Sequence, residues 1–77
     1  MDIKVLGPGC NNCVRLEANT REALGALGLT ASIDKVTDVG EIVGYGVMRT
    51  PGLVVDGTVV VSGRVPSVDD LMLLLAV

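Results

Sequence analysis

The sequence predicts an α/β fold with the element order βαβαββα. Three observations indicate it. A short apolar run is followed at once by a stretch of helical periodicity, a two-residue turn separates two β-branched runs, and a capped apolar helix comes last. Such alternation typically produces one sheet covered by helices. At 77 residues the chain is below the size at which proteins usually divide, so we expect a single domain over residues 1–77.

The first strand and the first helix meet at a glycine-rich turn. Residues 3–6 are an apolar run that suits a buried strand, and residues 7–9, Gly-Pro-Gly, interrupt it. Beyond the turn, side chains suited to burial recur along one helical face. They are Cys13, Leu16, Thr20, Ala23, Leu24 and Leu27. Gly28 fits the end of this helix because glycine adopts the left-handed conformation at little cost.

A second strand and a short helix are predicted next. Residues 30–36 alternate apolar and polar side chains, which indicates a strand with one exposed side at the edge of the sheet. Asp38 and Glu41 resemble a capping arrangement at a helix start. Three glycines between residues 40 and 46 lower the helix propensity, so we expect this helix to be short.

A hairpin follows. Residues 53–55 and 58–61 are mostly β-branched, largely aliphatic runs, and Asp56-Gly57 between them tolerates the positive φ angles of a type I′ turn. This pattern predicts two antiparallel strands joined by a two-residue turn.

The last predicted element is a helix. Ser67 and Asp70 form its start signal, and one apolar stripe follows. The stripe consists of Val68, Leu71, Met72 and Leu75. Leu73, Leu74 and Val77 exceed what one stripe needs, which leaves two interpretations, a deeply packed end or a self-association patch. We expect a monomer.

Charge and composition exclude several classes of partner. The chain has 6 Lys and Arg against 9 Asp and Glu, a net charge of −3, and its cations are scattered. A phosphate backbone would find little to bind, so we expect no nucleic-acid partner. The sequence has neither a leader pattern at its start nor an apolar run long enough to cross a membrane, so we expect a cytoplasmic protein without a membrane partner.

Cys10 and Cys13 are the only thiols, and they stand at the strand-to-helix junction. Without His, the chain has few other groups for chemistry near neutral pH. Cysteines at i and i+3 can close a disulfide in the first helical turn, where the helix N-terminus favours a thiolate. The spacing therefore predicts Cys10 as the exposed nucleophile that forms a mixed disulfide. Cys13 is predicted as the buried thiol that resolves it.

Other uses of the two cysteines stay open. Two thiolates can hold a soft monovalent metal ion, so a soft-metal-binding module is the alternative function. Structural zinc is disfavoured because its four-ligand set would be incomplete. A structural bridge over so short a loop would contribute about 2 kcal/mol at most. The cysteines could also be two inert buried thiols.

Residues 45–57 carry a more specific pattern than the cysteines do. A Tyr-Gly-Val segment and a short spacer lead to Thr50-Pro51 ahead of the hairpin, and this arrangement resembles the thioredoxin superfamily. With the Gly-Pro-Gly-Cys-Asn-Asn-Cys turn the resemblance covers nearly the whole chain. It is most similar to the small thioredoxin-like proteins termed redox-active disulfide protein 2. The resemblance implies a thioredoxin-like fold, with a four-stranded mixed sheet of order 2-1-3-4 flanked by helices. The soft-metal alternative is similar to the small heavy-metal-associated domains, which also have a Cys-x-x-Cys pair after the first strand. Those domains have the element order βαββαβ and end in a strand, whereas this chain is predicted to end in a helix.

The resemblance also implies roles and partners. Pro51 would follow a cis peptide bond and lie against a redox-active Cys10–Cys13 disulfide, and the backbone of Thr50 would pair with a substrate segment. The activity implied is that of a thiol–disulfide oxidoreductase that reduces protein disulfides, itself reduced by a flavoprotein of the thioredoxin-reductase type. We expect no bound cofactor or metal, because the sequence has no nicotinamide or flavin signature.

Departures from the classical pattern limit what is implied. Gly9 replaces Trp before the first cysteine, and Asn11-Asn12 replace Gly-Pro between the cysteines, so no redox potential is implied. Classical members have a buried acid six residues before the first cysteine, where this chain has Lys4. The resemblance therefore assigns no proton acceptor to Cys13.

Overall fold

The computed structural model describes residues 1–76 and contains the seven predicted elements in the predicted order. The strands are β1 (Asp2–Leu6), β2 (Ser32–Val36), β3 (Gly52–Val55) and β4 (Thr58–Ser62). The helices are α1 (Asn11–Leu27), α2 (Val39–Gly44) and α3 (Val68–Leu75). The sheet has the order β2-β1-β3-β4, with β2 parallel to β1 and the other neighbours antiparallel. The predicted α/β class and strand order are confirmed.

Helices cover both faces of the sheet. Because side chains alternate along a strand, Ile3 and Val5 of β1 pack under α1 and α3, whereas Leu6 packs under α2. The larger core cluster consists of Ile3, Val5, Leu16, Ala23, Leu24, Leu53, Val61, Leu71 and Leu75. The smaller one consists of Leu6, Val36, Ile42, Val47 and Val54.

The helix caps and the hairpin turn are formed by the residues that the sequence pattern indicated. Gly28 ends α1 in the left-handed conformation with φ 69°, while the side chains of Asp38 and Ser67 accept backbone N–H groups at the starts of α2 and α3. Asp56 and Gly57 have φ angles of 49° and 84°, as a type I′ turn requires. Each of these signals operates within a few residues of chain, which is why the sequence pattern suffices to predict it.

The second strand is shorter than predicted, because β2 begins at Ser32 instead of residue 30. Its neighbour β1 begins at Asp2, which pairs with Ser32. Thr30 and Ala31 therefore lie before the first residue pair that β1 and β2 form. As predicted, β2 lies at the edge of the sheet.

The apolar excess of α3 is only partly packed. Leu74 is half-buried against the larger core, whereas the Leu73 side chain is 76% exposed. Val77 lies outside the described residues, so the self-association patch stays a prediction whose exposed described member is Leu73. Of the helices within residues 1–76, none combines the length and apolar character that crossing a membrane requires.

Candidate active site

Both cysteines lie at the junction between β1 and α1. Cys10 is the N-cap of α1, Cys13 lies in its first turn, and their sulfurs form a disulfide with the Cα atoms 5.1 Å apart. The backbone N–H of Cys13 donates a hydrogen bond of 3.2 Å to the sulfur of Cys10. The Cys10 sulfur thus lies at the positive end of the helix dipole, where negative charge is stabilised.

The two cysteine residues differ in exposure. Cys10 is half-buried at the helix end, whereas Cys13 is 5% exposed. Cys13 lies on the buried face of α1 together with Leu16 and Thr20, and this face packs against the sheet. A sulfur of another protein can therefore approach Cys10 far more readily than Cys13.

Gly7 lies directly against the buried sulfur of Cys13. It directly follows β1, and its N–H donates a 2.9 Å hydrogen bond to the carbonyl of Val36. A Cβ at this position would overlap the Cys13 sulfur and lie 3.3 Å from the Cys13 Cβ. The sequence pattern indicated only a turn residue here, whereas the structure requires glycine for close approach.

Thr50 and Pro51 lie next to this contact. The peptide bond between them is cis, Pro51 is buried and Thr50 is exposed. A Cβ placed on Gly7 would lie 3.8 Å from the Thr50 Cβ, so the loop before β3 adjoins the cysteine turn. The structure thus brings all four candidate residues of the sequence, Cys10, Cys13, Thr50 and Pro51, to one end of the sheet.

An apolar hollow of about 290 Å³ opens beside the cysteine turn. Pro8 and Thr50 form its cysteine end, and α2 with the following loop forms the rest. Its remaining lining residues are Val39, Ile42, Val43, Val47 and Met48. Val39, Val43 and Met48 are exposed, Met48 to 84%. A contiguous exposed apolar surface of this kind is typical of a binding site.

Lys4 lies on the other face of the sheet from Cys13. Its Nζ is 3.6 Å from a carboxylate oxygen of Asp2 and 3.9 Å from one of Asp34, the residue paired with it across β1 and β2. Its neighbours along β1 pack under α1, so alternation directs Lys4 toward the α2 side. Lys4 is therefore not a partner of the buried thiol.

A charged cluster on the α1 side adjoins Cys13 instead. The Glu17 side chain is 15% exposed, and its two carboxylate oxygens each lie 3.0 Å from a cation, Lys35 Nζ and Arg21 Nε. The hydrogen bond from Lys35 holds the pKa of Glu17 below its usual value, against the opposing effect of burial, and Arg21 adds to the lowering. The sequence pattern did not indicate this cluster, although Glu17 stands four residues after Cys13 on one helix face.

Glu17 and Cys13 line one small cavity of about 30 Å³ between α1 and the sheet. Its other lining residues are Val5, Gly7, Gly9, Val14, Lys35 and Thr37. The cavity thus joins the buried cysteine to an ionised carboxylate.

Metal-ligating side chains are sparse around the cysteines. Within residues 1–76, no three His, Cys, Asp or Glu side chains come together as a possible metal site. From the described chain, a metal ion at Cys10 and Cys13 would therefore obtain two sulfur ligands and no further side-chain ligand of these types.

The chain is similar to known proteins over nearly its whole length, which includes both cysteines, Thr50 and Pro51. A family model described as a thioredoxin domain matches residues 1–76. A curated protein named "Thioredoxin" from Methanothermobacter thermautotrophicus is 40% identical over 76 residues, which is 99% of each chain. Another protein named "Thioredoxin", from Methanocaldococcus jannaschii, is 41% identical over 69 residues, which is 90% of this chain and 79% of its own.

Proposed function

The chain belongs to the thioredoxin family and is a thiol–disulfide oxidoreductase, and we propose that it reduces protein disulfides through a mixed disulfide on Cys10. One observation carries the proposal. A partly exposed cysteine at a helix N-terminus forms a disulfide with a buried cysteine three residues later. The narrower resemblance to redox-active disulfide protein 2, and the single domain over residues 1–77, stay predictions.

Cys10 performs the first step. As a thiolate favoured by the helix N-terminus, it attacks one sulfur of the substrate disulfide. A bond forms between that sulfur and Cys10, and the other substrate sulfur leaves as a thiolate and takes up a proton.

Cys13 performs the second step. Its thiolate attacks the Cys10 sulfur, the Cys10–Cys13 disulfide closes, and the second substrate sulfur is released. Two electrons thereby pass from the protein dithiol to the substrate. Because Cys13 is buried, its attack on the neighbouring Cys10 is favoured over reaction with a second protein.

The substrate lies across Thr50 and the apolar hollow. The exposed Thr50 lies next to the Gly7–Cys13 contact, where its backbone is available to an extended segment that carries the substrate disulfide. The hollow is continuous with this position and suits an apolar side chain of the same segment. Pro51, which is buried and follows Thr50 directly, shapes the groove. These features favour protein disulfides over small charged disulfides as substrates.

A separate reductase must return the disulfide to the dithiol form. A flavoprotein of the thioredoxin-reductase type fits, because it supplies two electrons to a disulfide of this family. We propose a cytoplasmic setting, where such a reductant keeps thiols reduced. The chain works without a bound cofactor in this scheme, and its redox group is the Cys10–Cys13 disulfide.

Redox equilibration tests the proposal. The protein is equilibrated in graded dithiothreitol buffers, free thiols are alkylated with a mass tag, and the disulfide fraction is read by mass spectrometry. A reversible two-electron couple near about −270 mV would support the proposed reductant, whereas one near about −120 mV would make the protein an oxidant. If no intramolecular disulfide forms at any poise, the oxidoreductase function fails and the soft-metal alternative takes its place.

A further inference from the structure

The second step of the proposed function requires Cys13 to lose a proton inside the protein, and the following inference rests on that function. The thiolate is the nucleophile, and burial disfavours it. Cys13 is 5% exposed, and Lys4 points to the opposite face of the sheet. A proton acceptor must therefore be reached from the α1 side.

Glu17 is the one carboxylate among the described residues that line the cavity beside Cys13. It follows Cys13 by four residues, so the two side chains lie one above the other on α1. The cavity of about 30 Å³ exceeds the volume of roughly 10–15 Å³ that one water molecule needs. A water there would have a carboxylate, an ammonium and a hydroxyl within the lining, from Glu17, Lys35 and Thr37.

Two cations hold the carboxylate in place. Lys35 of β2 binds one oxygen and Arg21 of α1 binds the other, both at 3.0 Å. Lys35 is paired with Val5 in the parallel register, and Val5 packs under α1, so Lys35 faces the same side as Glu17. The other elements contribute uncharged lining residues, Val5 from β1 and Thr37 from the loop after β2. Lys35 and Arg21 are therefore the charges that act on Glu17 here.

We propose that Glu17 accepts the proton of Cys13 through one water molecule in this cavity, and that Lys35 is its positioning residue. The proton passes from the Cys13 sulfur to the water while the water passes one to Glu17. The Cys13–Cys10 bond forms as the bond between Cys10 and the substrate sulfur breaks. In this step the Cys13 sulfur is oxidised, the Cys10 sulfur stays at the disulfide level, the substrate sulfur is reduced and leaves with the electron pair, and Glu17 later returns its proton to solvent.

The two steps can be timed separately with one equivalent of 5,5′-dithiobis(2-nitrobenzoate). The reduced protein releases one thionitrobenzoate when Cys10 attacks and a second when Cys13 resolves the mixed disulfide. Rates are measured by stopped flow from about pH 3.5 to about pH 8, so that the range includes the acid limb of a carboxylate whose pKa is lowered. The Cys13→Ser background isolates the first release.

In Glu17→Gln we expect the second release to slow about tenfold near neutral pH. This lies below the range for direct general bases, because the lowered pKa makes Glu17 a weak base and a water intervenes. The first release should stay within about twofold of the parent rate, since Glu17 does not act on Cys10. Glu22→Gln is the matched control, because it removes one exposed carboxylate from the same helix and should change neither step.

Lys35→Met separates proton transfer from a merely structural role. It keeps the carboxylate and removes its main partner, so the pKa of Glu17 rises and the acid limb of the second release should move to higher pH. Circular dichroism and thermal unfolding check that each variant is folded. An unchanged second release in Glu17→Gln, an equal slowing in Glu22→Gln, or an unshifted acid limb in Lys35→Met would overturn the inference. If the unsubstituted protein releases no second thionitrobenzoate, the proposed function fails instead.

Discussion

Gly7 lies directly against the sulfur of Cys13, and a methyl group on Gly7 would occupy the volume of that sulfur. The contact joins the end of β1 to the first turn of α1. Because Gly7 also donates a hydrogen bond to Val36, its backbone cannot move away without breaking a link to β2.

The Gly7→Ala substitution should therefore destabilise the protein by about 1–3 kcal/mol through overpacking. Urea unfolding of the oxidised and reduced forms measures the change. Gly25→Ala is the matched control, because this glycine lies in α1 with open space around it, and we expect a gain of about 0.5–1 kcal/mol. Equal stability of Gly7→Ala and the parent would contradict the packing argument.

Cys13→Ser should accumulate a mixed disulfide with a protein substrate, because Cys10 can still attack but nothing resolves the product. Non-reducing gels and mass spectrometry detect the adduct, which dithiothreitol should release. Cys10→Ser is the control and should trap little, since the remaining thiol is buried. Equal trapping by the two variants would reverse or remove the proposed roles.

Met48→Gln should weaken the binding of protein substrates but not that of small disulfides. Met48 is 84% exposed in the apolar hollow, so we expect KM for a disulfide-bonded protein to rise about three- to tenfold from lost apolar contact, with little change for a small disulfide. Leu73→Gln on α3 is the control, because it removes an exposed apolar side chain outside the hollow. A uniform loss on both substrates would indicate that Met48 acts on the chemistry instead.

The same Leu73→Gln variant tests the predicted self-association patch on α3. If the patch joins two copies of the chain, light scattering should give a lower mass for this variant than for the parent protein.

The ion pairs of Glu17 should make stability depend on acid pH. Since its pKa in the folded protein is lower than its usual 4.5, its contribution is present above that value and is lost as the pH falls through the folded pKa. The free energy of unfolding is measured against pH for the parent and Glu17→Gln. The parent should exceed the variant by less than about 1 kcal/mol near neutrality, and the difference should vanish in acid. A difference independent of pH would assign the effect to packing.

Local signals account for what the sequence predicted well. Cys10 and Cys13 occupy the first helical turn because a glycine-rich turn precedes them, and Asp56-Gly57 forms the hairpin turn because both residues accept positive φ. The family pattern around Thr50 supplied the strand order, which local periodicity alone does not contain.

Taken alone, the sequence determined the element order, the caps and the cysteine pair, because each depends on residues within about one helical turn or one hairpin of each other. Tertiary structure decided the rest. Only the parallel register of β1 and β2 directs Lys35 toward Glu17 and Lys4 away from Cys13. Only the packing of α1 on the sheet sets the Cys13 sulfur against Gly7. A shift of one residue in that register would exchange the two faces of β2, because successive side chains of a strand point to opposite faces, and the pairing with β1 decides which face each side chain takes.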